Sequence, residues 1–85
     1  MAQRTVEVAS AQGLHARPAT LFTQAAAGTG VTIAKDGGTP VDAASILRVM
    51  ALGVKNGETV TLEGEDEAAL DRLVALLATD LDAEQ

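Results

Sequence analysis

Glycine and proline interrupt this chain so often that no long element can cross its first two thirds. Gly13 and Pro18, Gly28 and Gly30, Gly37, Gly38 and Pro40, Gly53, and the pair Asn56-Gly57 punctuate it. Glycine weakens helix and strand interiors, and proline lacks the N–H that both need. What lies between must be short helices and strands that find stability only against one another. With 85 residues the chain has material for one modest core. Residues 1–85 read as a single domain, without linker, repeat or low-complexity segment.

The segments between the breaks alternate in type. Thr5, Val6, Glu7 and Val8 alternate like a strand with one wet face. A helix follows from the His15 region through about Ala27, carrying Leu21, Phe22, Ala25 and Ala26, and Gly28 and Gly30 end it. Residues 31–34 alternate again, and Asp36-Gly37-Gly38 signals a hairpin turn. Pro40-Val41 then opens a short return strand, placed where proline sacrifices no ladder bond. Ser45 is the expected N-cap of a helix over residues 46–52, stopped by Gly53. After the Asn56-Gly57 turn, residues 58–63 alternate as the last strand. Glu65-Asp66-Glu67 then set acids at the positive start of a final helix. Leu70, Leu73, Val74, Leu77 and Leu81 form one apolar stripe along it.

The expected order is βαββαβα. That order predicts an α+β layer, a four-stranded, mostly antiparallel sheet with three helices on one face. The opposite face would meet solvent, which suits Thr32, Thr59 and Thr61 at alternating positions.

Composition narrows the chemistry. The chain has no cysteine, a single histidine and Phe22 as its one aromatic residue. Disulfides, thiolate redox chemistry and thiolate or multi-histidine metal sites are excluded. Residues 1–57 hold five basic groups against three acids, whereas residues 58–85 hold nine acids against Arg72 alone, within a net charge of −6. The acidity thus lies far in sequence from His15, and its expected role is solubility. Sparse basic residues and a lone aromatic leave neither a phosphate-binding stripe nor a base-stacking platform, so nucleic-acid binding is not expected. No apolar run approaches the ~20 residues of a membrane span, and the chain is expected to be soluble, cytoplasmic and monomeric.

The chemistry-bearing run is Gly13-Leu14-His15-Ala16-Arg17-Pro18-Ala19. Pro18 tolerates only the first turn of a helix, so the helix must start within a residue or two of His15. A helix start offers unpaired N–H groups and the positive end of the macrodipole, both suited to an anion. Arg17 adds a donor fork that matches phosphate oxygens. An imidazole, with its ordinary pKa of ~6.5, is substantially neutral and nucleophilic at neutral pH, and adjacent positive charge favours that form further. A histidine in such a place otherwise serves as a simple polar cap. Together the neighbours make His15 a candidate phosphoryl carrier.

This run resembles the active-site signature of the HPr family, the histidine-containing phosphocarriers of the bacterial phosphoenolpyruvate:sugar phosphotransferase system. The element order is similar to the family's open-faced sandwich over nearly the whole chain. The resemblance implies that His15 accepts a phosphoryl group from phospho-enzyme I and holds it on Nδ1. It then passes the group to a histidine of an enzyme IIA domain for sugar uptake. Arg17 and the backbone N–H groups of Ala16 and Arg17 would stabilise the phosphoryl group. No cofactor or metal is expected, because the partner supplies activated phosphate. On this reading the protein is a carrier of a phosphohistidine and no stand-alone enzyme.

Ile46, Leu47, Val49, Met50 and Leu52 make the second helix apolar on nearly every side. From composition alone either some of them form an exposed patch for weak docking or all five are core or half-core residues. The family resemblance implies docking, with Ala16, Arg17, Thr20, Ile46, Leu47, Arg48 and Met50 facing enzyme I and enzyme IIA domains. It also makes Ser45 a candidate for regulatory phosphorylation by an HPr serine kinase/phosphatase. A phosphate there would add about two negative charges to the patch.

Other readings compete. A phosphopantetheine carrier would use Ser45 and leave His15 incidental, but such carriers are helical bundles and this chain has at least three alternating strand segments. A regulatory module of the same fold would not need His15, which is present. A nitrogen-regulatory or dihydroxyacetone-kinase branch would use the same chemistry with other recipients.

Overall fold

The computed structural model describes residues 2–10, 13–14, 16–35 and 37–79. Seven elements follow one another: β1 (Ala2–Glu7), α1 (Ala16–Ala26), β2 (Thr32–Lys35), β3 (Val41–Asp42), α2 (Ile46–Ala51), β4 (Thr59–Gly64) and α3 (Glu67–Leu77). The order is the βαββαβα read from the sequence. The strands form one sheet in the order β1-β4-β2-β3, and all three pairings are antiparallel.

β4 is the last strand in the chain but stands second in the sheet. It pairs with β1 from Ala2↔Gly64 to Glu7↔Thr59, and with β2 from Thr32↔Glu63 to Lys35↔Val60. Its residues alternate strictly, with Val60, Leu62 and Gly64 buried and Thr59, Thr61 and Glu63 towards the other face. On that other face Thr5 stands opposite Thr61, and Ala34 flanks Thr61 on its far side. The threonines thus lie on the open face, as their spacing predicts.

β1 begins three residues earlier than the alternation of 5–8 suggests. The cause is Arg4, which occupies a position opposite buried Leu62. Its guanidinium reaches Asp71 at 3.1 Å and Glu67 at 3.4 Å on α3. A charged residue at an inward position hides the period from a hydropathy reading. These exposed pairs contribute little, roughly 0–1 kcal/mol each, so they orient α3 on β1 more than they hold it. β3 is an edge strand paired only with β2, and Pro40 stands just before it, where no ladder bond is lost.

The core lies between sheet and helices. Phe22 and Ala26 of α1, Val49 of α2, and Leu70, Leu73 and Leu77 of α3 pack with Val8, Val31, Ile33, Val60 and Leu62. Val74 is half-buried at its edge. Leu81, the fifth residue of the expected stripe, lies outside the described residues, as does Asp36 of the expected hairpin turn. The caps match the sequence. The Ser45 hydroxyl accepts from the Arg48 N–H at 3.4 Å, and the Asp66 carboxylate accepts from the Ala69 N–H at 3.1 Å. α2 ends one residue short of expectation, with Leu52 as its C-cap and Gly53 in the left-handed region at φ +67°.

Phe22 is the largest fully buried side chain. In so small a core, Phe22→Ala is expected to cost about 3–5 kcal/mol, a large share of a total stability of roughly 5–15 kcal/mol. A denaturant titration followed by circular dichroism measures this, and a midpoint within error of wild type would contradict the assigned core.

Candidate functional site

The chain enters α1 through a tight passage. Gly13 has φ +74°, its N–H donates to the Ser10 carbonyl at 2.9 Å, and the Leu14 N–H donates to the Val54 carbonyl at 3.0 Å. A Cβ on Gly13 would run into the Val54 carbonyl oxygen and lie 2.6 Å from the Lys55 Cα. Glycine is therefore demanded twice, by its dihedral angle and by the backbone pressed against it. Leu14 is buried, which anchors the passage. His15 comes next in sequence and lies outside the described residues.

α1 opens at Ala16. Ala16 and Arg17 are exposed in its first turn, where a helical N–H has no intrahelical acceptor. Pro18, third in the helix, has no N–H to leave unpaired, and its ring is buried. The first turn thus presents donors and the Arg17 charge immediately after His15 in the chain. The Thr20 hydroxyl donates back to the Ala16 carbonyl at 2.9 Å.

α1 and α2 pack side by side, and an open groove of about 500 Å³ runs between them. Its lining is Ala16, Arg17, Thr20 and Leu21 from α1 with Ile46 and Met50 from α2. Five of the seven expected docking residues therefore share one surface. Leu47 and Arg48, exposed on α2, do not line the groove. Leu21 does, and the sequence reading missed it by counting it with the apolar residues of its helix. Its place one turn before Ala25 gave no separate signal.

Exposure settles the choice between patch and buried helix. Leu47 is 79% exposed, Met50 39% and Ile46 37%, whereas Val49 is fully buried. Leu52 is half-buried against the core. Only one side of α2 enters the core, and three large apolar side chains face outward. Such apolar surface stays in water at a cost in stability.

The segment between α2 and β4 is braced from below. The Glu58 carboxylate accepts from the Lys55 N–H at 2.8 Å and pairs with Lys35 at 3.5 Å. The Lys35 ammonium also donates to the Gly53 carbonyl at 3.4 Å. The Lys55 N–H, aided by the charge of Lys35, holds the Glu58 carboxyl below the usual carboxylate range.

Comparison with known proteins decides the family. The family model described as "PTS HPr component phosphorylation site" matches residues 2–79. The chain belongs to the HPr family. The phosphocarrier protein HPr of Streptomyces coelicolor is 52% identical over 96% of this chain and 94% of its own. The HPr-like protein Crh of Bacillus subtilis is 48% identical over 88% of this chain and 93% of its own. The crystal structure of an HPr from Thermoanaerobacter tengcongensis superposes with a TM-score of 0.87 at 38% identity, covering 100% of this chain and 99% of that one. HPr membership carries the function that the resemblance implied, phosphoryl carriage in the phosphotransferase system, and partner proteins of that system with it. Among the described residues, no helix is long and apolar enough to cross a membrane.

The depressed Glu58 carboxyl has a definite sign. Its folded pKa lies below its unfolded one, so its contribution to stability is full above the unfolded value and is lost as pH falls through the folded value. NMR titration of the glutamate carboxyls should place Glu58 below its unfolded-state value. Lys35→Met should move it upward only in part, because the Lys55 N–H remains. An unshifted Glu58 in wild type would contradict this bracing.

Proposed function

We propose that the protein takes a phosphoryl group from phospho-enzyme I onto His15 and delivers it to enzyme IIA domains. The observation that carries this reading is the α1–α2 groove, whose apolar lining is edged by the first turn of α1 and by Arg17. One surface thus offers a partner an apolar seat and offers a phosphoryl group N–H donors and a guanidinium, immediately after the histidine in the chain.

In the first transfer the Nδ1 lone pair of His15 attacks phosphorus in line. The P–N bond to the donor histidine breaks, and its electron pair returns to the donor imidazole. The second transfer is the same reaction with His15 as donor. Charge on the equatorial oxygens is met by the Arg17 fork and by the N–H groups of Ala16 and Arg17. Ile46, Leu47 and Met50 supply apolar contact, and Arg48 beside them favours acidic partner surfaces and fast encounter. The work takes place in the cytoplasm, where phosphoenolpyruvate is made.

Ser45 is a site for a regulatory kinase in this proposal. Its hydroxyl caps α2 directly beside Ile46, so a phosphate would place about two negative charges at the edge of the docking surface and weaken it towards acidic partners.

Incubation with enzyme I, magnesium and phosphoenolpyruvate should add one acid-labile phosphoryl group, detected by mass. His15→Ala should abolish it, and Arg17→Ala should slow it roughly tenfold or more. Failure of wild type to be charged by an active enzyme I would overturn the reading. The patch has its own test in Leu47→Ala, which should leave stability within about 0.5 kcal/mol yet raise the KM of enzyme I for the carrier. Unchanged KM would remove Leu47 from the docking surface.

A further inference from the structure

The loop between β1 and α1 is staked on two sides. On one side the Ala9 N–H donates to the Leu77 carbonyl at 2.9 Å, and the Ser10 hydroxyl reaches the Thr79 carbonyl at 3.5 Å. On the other side stands the turn between α2 and β4. There the Gly57 N–H donates to the Val8 carbonyl at 2.9 Å, and the Asn56 carboxamide donates to the carbonyls of both Ala9 and Ser10 at 3.2 Å. Asn56 lies 46 residues from Ser10 in sequence, and it is exposed, so apolar packing does not account for its place. Its one NH2 group, which carries two donors, bonds to two consecutive loop carbonyls and so ties down two peptide planes at once.

Those planes lead directly to the site. The Ser10 carbonyl that accepts from Asn56 also accepts from the Gly13 N–H, and Gly13 is the residue pressed against Val54 and Lys55. The Leu14 N–H is held by the Val54 carbonyl. From Asn56 through Ser10 and Gly13 the bonds lead to Leu14, the residue before His15 in the chain.

We propose that Asn56 is a positioning residue for phosphoryl transfer, setting the backbone at Ser10, Gly13 and Leu14 that leads into His15 and α1. This rests on the carrier reading above. Among the described residues the docking groove is lined from α1 and α2 and not by Asn56, so its loss should alter the transfer step and spare partner binding. A side chain with two donors is required. Aspartate has the same shape but would turn a carboxylate towards two carbonyl oxygens.

The experiment is steady-state charging of the full-length protein by enzyme I and phosphoenolpyruvate, with kcat and KM measured separately for wild type, Asn56→Ala, Asn56→Asp and Asn56→Gln. Asn56→Ala and Asn56→Asp should lower kcat roughly tenfold at unchanged KM, since a small misplacement of a reacting group costs far more than its hydrogen bonds do. Asn56→Gln retains both donors and should recover most of the rate. Amide hydrogen exchange should rise at Gly13 and Leu14 in the Ala variant while the exchange of β4 stays as in wild type. Normal kcat in Asn56→Ala, or a change confined to KM, overturns the proposal while the carrier reading stands. A wild type that takes up no phosphoryl group overturns both.

Discussion

The sheet is incomplete until β4 inserts between β1 and β2. Both partners reach it through long connections, the longer running from Glu7 to Thr59, so the cost of closing them must be met by what β4 brings. It brings Val60 and Leu62, both fully buried, and ladders on both edges. With β4 seated, the segment before it is drawn beneath the β1–α1 loop. The close approach of Gly13 to Val54 and Lys55 then follows. The path of the chain through Gly13 and Leu14 into α1 is therefore set by a strand that contributes no residue to it.

Two demands meet at α2 and pull in opposite directions. Val49 ties the helix into the core, whereas Ile46, Leu47 and Met50 stay in contact with water. A helix of six residues has little intrinsic stability, so it relies on the Ser45 cap, on Val49 and on half-buried Leu52 for its place. Exposing three apolar residues on it is tolerable only because the rest of the fold holds it there. The charge arrangement follows the same division. Glu67 and Asp71 are engaged by Arg4 on β1, and among the described residues no acidic side chain lines the α1–α2 groove.

Much of this was legible in the sequence because the signals are local. Gly13, Pro18, Ser45, Gly53 and the acids at 65–67 act on their own backbone or on the next turn, and each marks a boundary within one to three residues of where the structure has it. The first half of β1 escaped notice because Arg4 stands at an inward position and is matched by acids 63 and 67 residues away. Leu21 escaped because a groove between two helices is a property of neither helix. The choice between a buried and an exposed α2 stayed open for the same reason, since hydropathy reports what a side chain prefers and not whether another surface arrives to cover it.

The sequence by itself determined the element order, the helix starts and stops, and the run around His15 that carries the family resemblance, because these depend on dihedral preference, capping and side-chain type over a few residues. Only the tertiary structure decided which strand lies at the centre of the sheet, which apolar residues of α2 remain exposed, and that Asn56 reaches across to the loop before His15. Those outcomes depend on contacts between residues tens of positions apart, and such contacts exist only once the whole core has closed.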